Sequence, residues 1–169
     1  MNIISPDRVR DVFDYLPETG EIVWKNRSEL SLKWNNKMVG KIAGTKTKSG
    51  VVVSFEGNKY FAHRIVWCLV TGQWPCSMID HKDTNNLNNR FANLRLADYV
   101  ENGSNSRLSK TNTSGYKGVS WNKAYKKWIA KIHHNKKTYA LGKFETALEA
   151  HIAYCKKSKE LRGEFHNPG

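Results

Sequence analysis

Asp80 and His81 stand side by side in this chain, and Asn93 and Asn102 follow further along. These residue types are what hydrolysis of a phosphodiester with a single metal ion requires. The reaction needs a nucleophilic water, a base to activate it, and a cation to offset charge on the phosphate and the leaving oxygen. A hard cation such as Mg²⁺ takes oxygen ligands from one or two protein groups and keeps several waters. The Asp80 carboxylate and the Asn102 side-chain oxygen suit it, with Mn²⁺ as the alternative ion. His81 can take the proton from water, and Asn93 can brace the loop between them. Neighbours on an extended backbone point to opposite faces. One of Asp80 and His81 can therefore face the cation and the other the water, helped by the bend that follows. A calcium-binding EF-hand loop is excluded. Counting from Asp80 puts Lys82 at the third ligand position and Asn85 where Gly is required, and counting from Asp83 ends on Leu94 instead of Glu.

The elements that must position these residues show in the pattern of the chain. Residues 7–16 read as a helix, with Pro6 at a tolerated first turn and Val9, Val12, Phe13 and Leu16 on one face. Pro17-Glu18-Thr19-Gly20 is a turn, and residues 21–25 form a strand with Ile22 and Trp24 alternating. Residues 26–44 read as polar loop. A β-hairpin spans residues 51–62 around Glu56-Gly57-Asn58. Residues 64–71 form a helix that Gly72 ends. Met78-Ile79-Asp80 ends a strand, Asp83 to Asn93 is a long ordered loop rich in Asn and Asp, and residues 94–96 form a second short strand. A helix over residues 97–106 carries Asn102. Strands at 118–121, 128–133 and 137–141 then precede an amphipathic helix over 146–159, with Ala147, Ala150, Ala153 and Tyr154 inward.

Composition limits the partner. The 169 residues hold 28 Lys and Arg against 15 Asp and Glu, a net charge of +13. A polyanion follows, nucleic acid before membrane. No apolar run reaches the roughly 18 residues that a span needs, and the N-terminus is too polar for a signal peptide. Three scattered cysteines support neither a disulfide framework nor structural zinc, which points to a reducing, intracellular setting. The charge is uneven. Residues 1–103 hold 14 Lys and Arg against 11 Asp and Glu, and residues 104–169 hold 14 against 4. The last third therefore carries most of the attraction for a polyanion, and the first part is left for chemistry.

The stretch His63-Arg64-Ile65-Val66-Trp67, then Ile79-Asp80-His81-Lys82-Asp83, then Asn88-Asn89-Arg90-Phe91-Ala92-Asn93-Leu94-Arg95, then Glu101-Asn102 resembles the HNH homing-endonuclease family, which has the ββα-metal (His-Me finger) fold. The leading segment from Asp14 to Lys25 resembles that of phage members. The resemblance implies that Asp80 and Asn102 are metal ligands, that His81 is the general base, and that Asn93 bonds to loop backbone and fixes the strand bearing His81. His63 and Arg64 belong to a preceding motif, which is either structural or close to the phosphate, with His63 a candidate catalytic residue and Arg64 a candidate DNA contact. The cysteine pairs that hold structural zinc in other branches are absent.

A second resemblance covers about residues 112–167. It is carried by Ser114-Gly115-Tyr116-Lys117-Gly118-Val119-Ser120-Trp121, by Lys127-Trp128-Ile129-Ala130-Lys131-Ile132, and by Leu141-Gly142-Lys143-Phe144-Glu145-Thr146-Ala147. This stretch is similar to the plant ethylene-response-factor (Apetala-type) DNA-binding domain, whose sheet lies in the major groove. It implies DNA contacts from Lys117, Trp121, Lys123, Trp128 and Lys131, with His133 and Tyr139 as further candidates. The plant pattern has Arg at Lys117 and further Arg where this chain has Ser120 or Lys. Lys lacks the fork that pairs with guanine, so more of the affinity falls on phosphates.

The expected fold class is α+β: a ββα-metal nuclease domain over residues 1–103, a linker at 104–113, and a small three-stranded antiparallel sheet packed on one helix at 114–169. The expected function is a metal-dependent endonuclease of the homing type acting on double-stranded DNA in a phage or mobile-element setting. Monomer and homodimer remain alternatives, and with them nicking and double-strand cutting. The rivals are a non-catalytic DNA-binding regulator and an RNA-binding protein or RNase.

Overall fold

Ser5 and Pro6 open the first helix. In the computed structural model, which describes residues 4–106 and 108–169, α1 runs Pro6–Val12 and the Ser5 hydroxyl accepts from the Arg8 amide at 3.2 Å. The expected helix over 7–16 is cut short, because Phe13–Leu16 is strand β1. It pairs antiparallel with β2, Glu21–Trp24, with Phe13 opposite Trp24. That pairing brings the two rings to 4.7 Å between centroids. An aromatic contact of this kind adds about 1 kcal/mol beyond burial, and a helix through Phe13 would forfeit it.

Residues 26–44 contain more than loop. Helix α2, Leu32–Met38, is capped by the Ser31 hydroxyl. The buried Asn35 amide donates to the Arg27 carbonyl at 2.9 Å and accepts from the Arg27 amide at 3.0 Å. Strands β3 (Thr45–Thr47), β4 (Gly50–Phe55) and β5 (Asn58–Phe61) form one antiparallel sheet in that order. Glu56 and Gly57 join β4 to β5 with φ of 46° and 75°, as a tight two-residue hairpin turn demands. Helix α3, Ala62–Thr71, buries Ile65, Val66 and Cys68 and ends at Gly72 in the left-handed region. These side chains share one core with Val12, Phe13, Ile22, Val53 and Ile79. Strand β6 is Met78–His81 and strand β7 is Leu94–Ala97, and the two form a two-stranded sheet.

The chain divides into two compact units, Met1–Leu96 and Ala97–Gly169. Helix α4 is Tyr99–Ser104, shorter than the expected 97–106. It begins at a capping box in which Asp98 and Glu101 each accept from the other's backbone amide at 2.7 Å, and that box fixes the start. By these contacts α4 groups with the second unit, whereas the expected boundary followed Gly103. Of the expected linker, Asn105 accepts from Asn167 at its carbonyl and side-chain oxygens, and the Asn112 amide donates to the Tyr116 carbonyl. Arg107 of that linker lies outside the described residues, as do residues 1–3 of the polar N-terminus.

In the second unit β8 (Val119–Asn122), β9 (Lys127–His134) and β10 (Lys137–Phe144) make an antiparallel sheet with β9 central. A register shift between Ala140 and Gly142 carries β10 past the expected end at 141. Helix α5, Ala147–Arg162, starts at a Thr146–Glu149 capping box. Its Ala150 and Tyr154 share a buried cluster with Val119, Ala130 and Ile132. Gly118, at φ +71°, leaves the room that the Tyr154 ring fills. The protein is thus of mixed α and β structure. Among the described residues no helix is long and apolar enough to cross a membrane.

Candidate active site

Strand β6 carries Asp80 and His81 to its end, and both are buried, at 5% and 8% exposure. Arg95 reaches Asp80 from β7. Its Nε and Nη2 both donate to Oδ2 of the carboxylate, at 2.8 and 2.7 Å. An ion pair this buried holds both side chains to one geometry, because separating them strands a charge away from water. The approach to β6 is fixed by Arg64, whose guanidinium donates to the carbonyls of Pro75 and Ser77 at 3.2 and 3.3 Å. That is where the structure places this expected DNA contact.

Asn89 and His63 both lie against the His81 ring. Its Nε2 lies 3.1 Å from Oδ1 of Asn89, a residue only 3% exposed. Edge-on at 5.2 Å is the ring of His63, which stacks on Phe61. Burial pushes His63 down to about 4, and the nearby His81 and Arg64 add to the shift. His63 is therefore a neutral ring at ordinary pH, in contact with His81.

Residues 82–93 connect the two strands as a hydrogen-bonded knot. The Asn93 amide donates to Oδ1 of Asp83 at 2.9 Å and to the Asn88 carbonyl at 2.8 Å, and its oxygen accepts from the Asp83 amide at 3.1 Å. The Asn93 carbonyl accepts from the Lys82 amide at 2.9 Å. Burial alone would raise the Asp83 carboxyl, but hydrogen bonds from Asn88, the Asn85 amide and Asn93 outweigh it and hold the group below its ordinary value. This loop is ordered by its Asn side chains, which satisfy backbone that would otherwise need water.

Asn102 lies in α4, half-buried, with its backbone N–H donating to the Asp98 carbonyl at 3.0 Å. Among the described residues no group of three or more His, Cys, Asp or Glu is placed to hold a metal ion. The expected donor set of one carboxylate and one amide oxygen is smaller than that and of a chemistry that suits a hard cation.

The expected DNA contacts of the second unit separate by burial. Ala130 and Ile132 point into the core, so Lys131 and His133 on the same strand point away from it, and both are exposed. Lys123 is exposed in the β8–β9 turn. Trp128 packs against the buried cluster. Trp121 opposite it is 46% exposed, with the two rings edge-on at 5.2 Å. Tyr139 also packs on the cluster. Lys117 is partly buried and donates to the Ser106 carbonyl at 2.6 Å. Its burial, with Arg162 nearby, lowers its pKa to about 8.

Two residues of the site had no role in the sequence reading. Arg95 appears there only as part of a pattern, because its partner is set by strand pairing. Asn89 is one of several Asn in a loop, and nothing local distinguishes it.

The HNH endonuclease family profile matches residues 60–103, the stretch that holds all of these first-unit groups and Asn102. Protein 3.8 of Escherichia phage T7 is 36% identical over 104 residues, which cover 61% of this chain and 85% of that protein. An uncharacterized HNH endonuclease, L560, of Acanthamoeba polyphaga mimivirus is 35% identical over 138 residues, covering 80% and 70%. No solved structure matches.

Proposed function

This chain belongs to the HNH endonuclease family, and from that premise we propose that it is a metal-dependent endonuclease of the homing type acting on double-stranded DNA. The observation that carries the proposal is the pairing of Asp80 with His81 at the end of a buried strand, each held by a partner: Arg95 on the carboxylate and Asn89 on the ring. A solvated turn would leave both side chains in many rotamers. Here each is fixed before substrate arrives, as positioned acid–base chemistry requires.

Asp80 supplies the charged oxygen ligand, and a second ligand from Asn102 is what the resemblance implies. A hard divalent cation, Mg²⁺ or Mn²⁺, would when bound offset charge on the phosphate and on the departing 3′ oxygen. The chain's own residues do the rest. His81 takes a proton from water at the ring nitrogen not facing Asn89. The water oxygen attacks phosphorus in line, and the bond to the 3′ oxygen breaks. Arg95 keeps the Asp80 carboxylate in place. Asn93 closes the loop through Asp83 and Asn88, so the end of β6 cannot fray. His63 stays uncharged beside His81. Arg64 supports the strand through the Pro75 and Ser77 carbonyls.

The second unit grips DNA. Lys123 and Lys131 offer charge to phosphates, Trp121 offers an exposed ring, and Lys117 adds a charge from a half-buried site. The resemblance to the ethylene-response-factor domain implies this role for the unit.

Supercoiled plasmid incubated with Mg²⁺, with Mn²⁺ and with chelator tests the reading. Conversion to open circle or linear DNA only with metal supports it. Retained DNA binding without cleavage in either metal favours the regulator.

A further inference from the structure

We infer that Asn89 is a positioning residue for His81, and that the β1–β2 turn is the part of the fold that holds Asn89 in place. The inference deepens the proposed function and rests on it for its catalytic meaning. An amide oxygen only accepts hydrogen bonds. With Oδ1 of Asn89 at 3.1 Å from Nε2, the hydrogen of the neutral ring sits on Nε2 and the lone pair on Nδ1. Asn89 therefore selects both the orientation of the ring and the atom that accepts the proton.

Three contacts from one hairpin fix the backbone beside Asn89. The Arg90 side chain donates through Nε to the Glu18 carbonyl at 2.6 Å. The Phe91 amide donates to the Tyr15 hydroxyl at 2.8 Å. Gly20, at φ +78°, lies so close that a Cβ there would come within 2.5 Å of the Arg90 nitrogen and 2.7 Å of the Asn89 carbonyl carbon. No side chain fits at Gly20 without moving the Asn89–Arg90 peptide. The turn at 17–20, far from the chemistry in sequence, thus lies against the residue that sets the base. Asn93 ties the other side of the same loop, but its bonds go to Asp83 and Asn88 and not to the imidazole. The loop has two anchors with different tasks: Asn93 closes it and the hairpin aims it.

The test reads the ring directly. ¹⁵N–¹H NMR of the His81 side chain is recorded on the full chain without metal or DNA, for wild type, Asn89→Ala, Asn89→Asp and Tyr15→Phe. Plasmid nicking, DNA affinity and melting temperature are measured beside it. The inference expects the Nε2–H tautomer in wild type, a mixture of tautomers in Asn89→Ala, and its recovery in Asn89→Asp, whose carboxylate puts an acceptor in the same place. Nicking by Asn89→Ala should fall by roughly 100-fold, the scale of a misplaced catalytic group, with DNA affinity unchanged. Tyr15→Phe, which removes one hydroxyl and is the gentler variant, should shift the ring in the same direction by less. An Nδ1–H tautomer in wild type, or a ring unchanged by Asn89→Ala, overturns the inference. So does a wild-type nicking rate in Asn89→Ala. A wild type that nicks with no metal defeats the proposed function instead, and the ring spectra then decide the inference alone.

Discussion

Arg95 and Asp80 face each other across the β6–β7 pair, with two guanidinium nitrogens on one carboxylate oxygen at 2.8 and 2.7 Å and both side chains at or below one-tenth exposure. Arg95→Ala should leave a buried carboxylate without this partner. Breaking a buried pair from one side costs about 3 to 5 kcal/mol, so denaturant unfolding should show a loss of that order. A loss under about 1 kcal/mol, the scale of a surface pair, would show that the Asp80 carboxylate does not depend on Arg95.

His63 makes stability depend on acid. Its folded value of about 4 lies below the ordinary 6.5, for reasons of burial first and then of the neighbouring His81 and Arg64. The unfolded chain takes up a proton that the folded chain refuses, so stability from this group is full above 6.5 and falls as pH drops toward about 4. The loss should approach about 3 kcal/mol at the low end. His63→Phe should flatten that part of the curve. Equal acid slopes in wild type and variant would contradict the assignment.

DNA affinity should respond to single lysines in two ways. Lys123→Ala and Lys131→Ala should each lower the slope of log affinity against log salt by about 1, as loss of one phosphate contact does. Lys117 loses its charge as pH rises through about 8. Wild-type affinity should therefore weaken across that range more than the affinity of Lys117→Ala does. Salt slopes unchanged in both exposed-lysine variants would place the DNA elsewhere.

Much of the frame was readable where local chemistry decides structure. Pro6, the turn at 17–20 and the stop at Gly72 all act within a few residues of themselves, and the elements they bound are found. Helix α2 is hidden in the sequence because its buried member is Asn35, whose partner Arg27 lies outside the helix. Strand β1 reads as helix in the sequence because Val9, Val12, Phe13 and Leu16 fit a helical face equally well, and only pairing with Trp24 decides between them. For the same reason Asp80 and His81 could be singled out by type, whereas Arg95 and Asn89 could not. Their partners are set by strand register and loop closure, which spacing alone does not reveal.

In the proposed mechanism His81 activates the water. Supercoiled plasmid nicking by wild type and His81→Ala, each with Mg²⁺ and with chelator, tests it most directly when DNA binding of both is measured in parallel. Wild type should nick only with metal and His81→Ala not above background, with closely similar DNA affinities. Nicking by His81→Ala at the wild-type rate would contradict it.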